Sequence, residues 1–215
     1  QEMIKQMNNP IMRFRQQADG MTTDELDAIL KDIDILKQGG ELLVLAIQYK
    51  KPELIRHMLA KGVNLGLVPE KMEDDPSYRS TPFIITAAIH GDIPTFEEVM
   101  NQGGDVKARG FIGHSRKRKN LIVSNIVGAA AFNGNIELLN FFITKLSKKD
   151  LEHLSKEKED KNQKVFAREM SNYSPLMLAV AGPEDNVEPV KKLLGARADS
   201  TLKDFANNNI LHIAA

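Results

Sequence analysis

Five histidines are the side chains of this sequence best suited to bind a metal ion or to move a proton near neutral pH. They are His57, His90, His114, His153 and His212. No two of them have the spacing of metal ligands, and the chain has no cysteine that could complete a zinc site. The histidines therefore predict no metal centre.

Other residue patterns that could form a ligand-binding or catalytic site are better explained as loops or helix ends. The acidic clusters Asp24-Glu25 and Glu73-Asp74-Asp75 lack the alternate spacing of a calcium loop, so we interpret them as solvated loops. The glycine pairs at 39–40 and 103–104 lack the following Lys-Ser/Thr or third glycine of a nucleotide-binding loop, and we interpret both as helix ends. Without a catalytic constellation, the sequence predicts that the chain is not an enzyme and binds no cofactor.

The densest charge lies in the run His114-Ser115-Arg116-Lys117-Arg118-Lys119-Asn120, which follows Lys107, Arg109 and Phe111. Four consecutive cations repel one another, so this basic loop, residues 114–120, should be exposed. It could contact an acidic protein, a phosphate or a nucleic acid, it could be a nuclear import signal, or it could be a solvated loop without a dedicated contact. With Phe111 as the one aromatic nearby, a platform for stacking single-stranded bases is not expected, and neither is a nucleic-acid partner.

The composition sets wider limits on the class of protein. The chain has 215 residues, 42% of them hydrophobic, and its 29 basic and 29 acidic residues cancel to a net charge of zero. No stretch approaches the roughly 20 apolar residues that cross a bilayer, and the first residues lack the layout of a secretory signal. The lack of cysteine is compatible with a reducing compartment, so we expect a cytoplasmic protein, with the nucleus as the alternative. The sequence starts without methionine and stops within an expected helix, so we expect a piece of a longer chain.

Two related runs near the end of the sequence indicate an internal repeat. They are Ser174-Pro175-Leu176-Met177-Leu178-Ala179-Val180 and Asn209-Ile210-Leu211-His212-Ile213-Ala214-Ala215, with Leu193-Leu194 and Ala198-Asp199 between them. This order resembles the ankyrin repeat, in which a turn and T-P-L-H-x-A-A are followed by a loop and V-x-x-L-L-x-x-G-A. The resemblance implies an all-α fold, an ankyrin-type helical solenoid. It also implies that His212 hydrogen-bonds the backbone and fixes the turn.

One small residue in each proposed inner helix marks the register of the repeats. The five markers, separated by 41, 43, 49 and 35 residues, are Ala46, Ala87, Ala130, Ala179 and Ala214. The family period is about 33, and the extra residues fall at 65–80, 105–124 and 146–173, between an outer helix and the next inner helix. They would lengthen the finger loops of the solenoid.

These markers give the expected domain organisation. We predict an N-terminal helical cap at residues 1–40, followed by an ankyrin-repeat array at 41–215 with about four repeats and the start of a fifth. A solenoid of HEAT-like helical hairpins is the alternative fold, because repeat periods above about 40 also suit such units.

The proposed helices are too short to persist alone, since each has only two or three turns. Their apolar faces must therefore be covered by neighbouring repeats. One buried column would run along the inner helices, through Leu43, Ile84, Val127, Leu176 and Leu211. A second would run along the outer helices, through Leu59, Met100, Ile143 and Leu194.

Local signals locate the first helix. Thr22 and Glu25 have capping-box spacing, which satisfies free backbone N–H groups at a helix start. The helix should then present one apolar stripe and end at Gly39-Gly40. The stripe consists of Leu26, Ile29, Leu30, Ile33 and Leu36.

The ends of the outer helices have their own signals. Pro52 suits the first position of an outer helix, where its missing N–H costs little. Gly62 lies where that helix must end with a positive φ. Lys50 replaces the glycine usual for the family in the inter-helix loop, and Arg197 replaces the glycine usual at the end of an outer helix.

The resemblance implies a protein-interaction scaffold that binds another protein on its concave and finger surface. The predicted partner-binding residues are Tyr78, Arg79, Arg109, Phe111, Arg116, Lys117, Arg118, Lys119, Lys203 and Phe205. Two alternatives remain open. The chain could be the regulatory or targeting ankyrin region of a larger enzyme or channel, including a bacterial effector that acts on proteins in the host cytosol. The basic loop 114–120 could instead contact nucleic acid or an anionic surface.

Overall fold

The computed structural model describes residues 9–65, 81–114, 121–145, 173–183, 186–204 and 207–214. This part of the chain is mostly helical and contains one two-stranded antiparallel sheet. It divides into two compact units, Gln1–Asp105 and Val106–Ala215. In the described ranges no helix combines the length and the apolar character needed to cross a membrane.

The first unit is built from helices that pack as hairpins. In its described residues these are α1 (Pro10–Gln17), α2 (Thr23–Lys31), α3 (Ile35–Gln48), α4 (Pro52–Ala60), α5 (Phe83–His90) and α6 (Ile93–Asn101). The hairpin α3–α4 lies beside the hairpin α5–α6, with α3 against α5 and α4 against α6. The helix α1 packs on α2 and α3, and α2 packs on α4. Successive hairpins thus cover one another's apolar faces, which helices of this length require.

The start of this unit confirms one prediction and corrects another. Thr22 and Glu25 form the predicted capping box, but the helix ends at Lys31, and Asp34 caps a new helix by accepting a hydrogen bond from the backbone N–H of Leu36 at 3.0 Å. The predicted helix end at Gly39-Gly40 is wrong, because both glycines are buried inside α3. A Cβ on Gly39 would lie 3.0 Å from Val63 Cγ2, so the small residue permits close packing.

The apolar stripe of α2 is shorter than predicted. Its first members, Leu26, Ile29 and Leu30, are buried. Leu36 is 70% exposed, because the break before α3 ends the helical register on which the stripe depended. The boundary drawn at residue 40 lies within α3.

The second unit combines a β-hairpin with helices. Its described elements are β1 (Gly110–His114), β2 (Leu121–Ser124), α7 (Ile126–Asn133), α8 (Ile136–Lys145), α9 (Pro175–Ala181), α10 (Val187–Gly195) and α11 (Ile210–Ala214). The hairpin α7–α8 lies beside α9–α10, with α7 against α9 and α8 against α10, and α11 packs on α9. The arrangement of helical hairpins in the first unit therefore recurs here.

The inner column is buried in both units except at its last member. Leu43 and Ile84 in the first unit, and Val127 and Leu176 in the second, are at most 2% exposed. Leu211 is 72% exposed, so its predicted burial is wrong. The half-buried side of α11 carries Ile210 and Ile213, three residues apart, and Leu211 lies off that side. The marker alanines follow the same division: the first four, Ala46, Ala87, Ala130 and Ala179, are buried, whereas Ala214 is exposed.

On the outer helices, the buried residues lie one position before the predicted ones. Met100 and Leu194 are 37% and 47% exposed, and Leu59 and Ile143 are only half-buried. The residue before each of them is buried instead: Met58, Val99, Phe142 and Leu193. Each of these has a second buried residue one turn earlier, Leu54, Thr95, Leu138 and Pro189. Since residues four apart share a helix face and adjacent residues do not, the second residue of each apolar pair lies on the flank.

The positive φ predicted for Gly62 is confirmed, and left-handed backbone also occurs at other helix ends. Gly62 and Gly103, just after α4 and α6, have φ values of 100° and 98°, and Arg197 after α10 has 61°. Lys50, between α3 and α4, has φ 57°, and Gly134, between α7 and α8, has 75°. Lys50 and Arg197 therefore occupy positions that glycine would adopt at lower cost.

Candidate protein-interaction surface

A β-hairpin occupies the predicted finger region at 105–124. Its strands are antiparallel, with Phe111 opposite Val123 and Gly113 opposite Ile122, and an irregularity between Phe111 and Gly113. Ile112, Ile122 and Val123 are β-branched, which favours a pleated, half-buried strand. The hairpin is the one sheet among the described residues, and it qualifies the all-α prediction.

The hairpin is attached to α7 by close backbone approach. Gly113 has φ 151°, and a Cβ there would lie 2.5 Å from the Phe132 ring. The side-chain amide of Asn133 donates hydrogen bonds to the carbonyl oxygens of Ile112, at 3.2 Å, and Ala129, at 3.1 Å. One asparagine therefore joins the strand to the helix that supports it.

A second close approach holds the other strand. Ser124, the last residue of β2, is 1% exposed. A Cβ on Gly128 of α7 would collide with Ser124 Oγ and lie 2.6 Å from Leu178 Cδ1 of α9. Ile112 and Ile122 are 4% and 0% exposed. The base of the hairpin is consequently part of the core of the second unit, and any residue on it is presented from a fixed support.

Arg109 and Phe111, two of the predicted partner-binding residues, lie together. Phe111 is the cross-strand neighbour of Val123, and Arg109 Nη2 donates to the Val123 carbonyl oxygen at 3.5 Å. Both side chains are half-buried. Arg109 therefore contributes to the structure of the hairpin as well as to its charge.

Lys203 lies elsewhere in the second unit. It is exposed in the connection between α10 and α11, whereas Arg109 directly precedes β1 and Phe111 lies on that strand. The remaining predicted partner-binding residues lie outside the described residues: Tyr78, Arg79, Arg116, Lys117, Arg118, Lys119 and Phe205.

The turn before α11 is held by short-range polar contacts. The Asp204 carboxylate accepts hydrogen bonds from the backbone N–H and side-chain amide of Asn208, at 2.8 and 3.1 Å. His212 Nδ1 lies 3.4 Å from the backbone nitrogen of Asn209 and 2.6 Å from Asn209 Oδ1. One ring nitrogen cannot accept and donate at once, and the shorter distance favours donation to Oδ1. His212 thus acts in the turn, mainly through the Asn209 side chain.

Asn186 is a positioning residue that no sequence pattern singled out. Its side-chain nitrogen lies within hydrogen-bond distance of the carbonyl oxygens of Ala131, Phe132 and Ala179, at 2.8, 3.2 and 3.0 Å. It therefore ties the C-terminal ends of α7 and α9 to the start of α10. Its partners Ala131 and Phe132 are more than 50 residues away in sequence, so no local pattern could reveal the contact.

Ion pairs lower the pKa of two carboxylates in the first unit, Asp27 and Glu98. Hydrogen bonding from Arg56 lowers the pKa of Glu98, and Gln102 lowers it further. Lys61 and then His57 lower the pKa of Asp27 by hydrogen bonding. These contacts join α4 to α6 and α2 to α4. Among the described residues no three histidines or carboxylates are grouped so that they could hold a metal ion.

No protein-family model matches the chain, and a search of curated proteins finds no match.

Proposed function

We propose that this chain is a protein-interaction scaffold of the ankyrin type, which binds a partner protein through its hairpin and the neighbouring loops. The observation that carries the proposal is the packing within each unit. Helical hairpins lie side by side, with first helix against first helix and second against second. Repeat proteins built in this way present extended binding surfaces.

The β-hairpin before α7 favours the ankyrin type over HEAT-like units. Ankyrin repeats have a β-turn or finger before each helix pair. In this chain β1 and β2 precede α7, and Asn125, directly after β2, caps α7 by accepting a hydrogen bond from the Gly128 N–H at 3.0 Å. The Ser174 hydroxyl likewise accepts from Met177 N–H at 3.3 Å at the start of α9.

The proposed contact residues in the described part of the chain are Arg109, Phe111 and Lys203. Phe111 is a half-buried aromatic on a firmly supported strand, the kind of side chain that often dominates interface energy. Lys203 is an exposed cation on a loop. Arg109 supplies a guanidinium beside Phe111.

The test is to identify a partner by cross-linking and then to measure its affinity for purified variants. Phe111→Ala should weaken binding by about tenfold, or roughly 1.4 kcal/mol. Phe141→Ala is the matched control, because Phe141 is also a half-buried phenylalanine of the second unit but lies on α8. Lys203→Glu is compared with Lys192→Glu, an exposed lysine on α10. Equal affinities for all four variants and the unaltered chain would refute the proposed surface.

A further inference from the structure

The end of α7 carries the only asparagine in the sequence that is followed by glycine, Asn133-Gly134. Such a pair is chemically labile, because the backbone nitrogen of the glycine can attack the side-chain carbonyl carbon of the asparagine. Glycine has no side chain to hinder this attack. The neighbouring Asn125, Asn135 and Asn140 are followed by isoleucine or phenylalanine, whose bulk hinders it. Asn133 is therefore the asparagine of this region with the greatest intrinsic tendency to deamidate.

The fold holds both reacting groups of this pair. The Gly134 N–H donates to the Ala130 carbonyl oxygen, which engages the nitrogen that would attack. The Asn133 side-chain amide donates to the carbonyl oxygens of Ile112 and Ala129, at 3.2 and 3.1 Å. Glycine is favoured at this position because Gly134 ends the helix with a φ of 75°. The labile pair thus lies where the helix needs glycine, and the end of α7 must open before the pair can react.

We propose that Asn133 is a deamidation site, protected while β1 is attached to α7 and reactive when that attachment opens, and that its deamidation releases the hairpin. The Gly134 nitrogen forms a bond to Asn133 Cγ, the Cγ–Nδ2 bond breaks, and Nδ2 leaves as ammonia with the proton of the Gly134 N–H. Water from the solvent then opens the cyclic imide. Hydrolysis at Cγ gives aspartate, and hydrolysis at the main-chain carbonyl carbon gives isoaspartate.

Neither product can restore the attachment of the hairpin. An aspartate carboxylate accepts hydrogen bonds but donates none, so at position 133 it would face the carbonyl oxygens of Ile112 and Ala129, which are also acceptors. Polar atoms that lose their partners in a half-buried place destabilise the fold. Isoaspartate adds a carbon to the main chain and displaces Gly134 from Ala130. One opening that ends in reaction therefore leaves a permanently loosened hairpin, whether or not a partner is present.

The first experiment incubates the whole 215-residue chain in mildly alkaline buffer, folded or in concentrated guanidinium chloride. Mass spectrometry of the tryptic peptide 120–145 measures deamidation at Asn133 and at Asn125, Asn135 and Asn140. Asn133 should react at least about tenfold more slowly in the folded chain, because only the open minority reacts. In denaturant it should react faster than the other three, and Gly134→Ala should remove that difference. Equal rates at Asn133 with and without denaturant, or equal rates at all four asparagines in denaturant, would overturn the inference.

The second experiment measures what deamidation does to the hairpin. Asn133→Asp is one of the two products, and Asn135→Asp is its matched control. The control changes the net charge equally, but Asn135 Oδ1 accepts a hydrogen bond from the Leu138 N–H at 3.2 Å, which a carboxylate also does. Hydrogen exchange of the backbone N–H groups of β1 and β2 should be at least about tenfold faster in Asn133→Asp. It should be unchanged in Asn135→Asp.

A third variant separates the lost donor from the added charge. Asn133→Ala removes the hydrogen bonds to Ile112 and Ala129 and adds no carboxylate, so it should speed exchange in the strands by less than Asn133→Asp. If circular dichroism shows that Asn133→Asp does not fold, Asn133→Ala takes its place in the comparison with Asn135→Asp. Strand exchange as slow in the Asn133 variants as in the unaltered chain, or equally fast in Asn135→Asp, would overturn the release of the hairpin.

Discussion

Arg56 on α4 and Glu98 on α6 form a two-point ion pair that joins the two helical hairpins of the first unit. Arg56 Nε donates to Glu98 Oε1 at 3.1 Å, and Arg56 Nη2 donates to Oε2. Gln102 donates to the same carboxylate at 2.9 Å. The Glu98 side chain is 7% exposed and that of Arg56 62%, so solvent reaches the cation while the buried carboxylate depends on its partners.

Removing the Glu98 charge should destabilise the first unit. Glu98→Gln removes the negative charge opposite the Arg56 guanidinium and leaves part of the guanidinium fork unmatched. We expect a loss of about 1 to 2 kcal/mol of unfolding free energy, measured by urea denaturation. Glu97→Gln, at the more exposed neighbouring position, should change stability little. A Glu98→Gln protein as stable as its control would show that the pair contributes no stability.

The Glu98 carboxylate should make the free energy of unfolding depend on pH in the acidic range. Arg56 lowers the pKa of Glu98 below its ordinary value of 4.5. A carboxylate with a lowered folded-state pKa contributes stability that is complete above its unfolded pKa and is lost as the pH falls through the folded value. Acidification from neutral pH to below 4.5 should therefore destabilise the unaltered chain more than Glu98→Gln. The urea midpoints of the two proteins should converge in acid, and a constant difference would contradict the prediction.

Gly128 should tolerate no larger side chain. A Cβ there would meet Ser124 and Leu178, so Gly128→Ala should cost about 1 to 3 kcal/mol through overpacking, despite alanine's higher helix propensity. At Gly195, the last residue of α10, a Cβ would have no neighbouring atom within 4 Å, so Gly195→Ala should be neutral or stabilise the protein by up to about 1 kcal/mol. The melting temperatures of the two variants, measured by circular dichroism, test this difference. Equal effects would contradict the packing at Gly128.

Replacement of Lys50 by glycine should stabilise the protein. Its φ of 57° places an L side chain in the left-handed region, which costs about 1 kcal/mol and which glycine adopts freely. Because glycine also gives the unfolded chain more freedom, the net gain of Lys50→Gly should be below about 1 kcal/mol. The reciprocal variant Gly134→Ala should destabilise, since φ is 75° there and a Cβ would lie 3.0 Å from Asn186 Oδ1. A fall in melting temperature for Lys50→Gly would contradict the prediction.

The sequence predicted best those features that depend on residues nearby in the chain. The Thr22 capping box, Pro52 at the start of α4 and the positive φ of Gly62 each follow from residues within one turn. The outer column failed by one position because both members of Leu193-Leu194 are apolar, and only the packing of α8 against α10 decides which is buried. Gly39-Gly40 was interpreted as a helix end because the sequence cannot show Val63 packed against it.

For the candidate interaction surface, too, the sequence could not predict contacts between residues that are far apart in the chain. Arg109 and Phe111 were predicted from their position in a finger of the repeat pattern, which could not show that they meet at Val123. The sequence analysis gave Asn133 no role, although its amide fixes the hairpin to α7. Such roles depend on distances between residues that are far apart in the sequence. The binding roles of the ten predicted residues stay predictions.

On the proposed function, the attachment of the hairpin to α7 would couple partner recognition to the folding of the second unit. Phe132 and Asn133 are not proposed contact residues, yet each supports β1, the strand on which Phe111 lies. A partner would therefore distinguish the finished protein from an incompletely folded chain, because the surface exists only after α7 has been enclosed. On that proposal, substitutions in α7 that displace the hairpin should weaken binding without altering any residue that the partner touches.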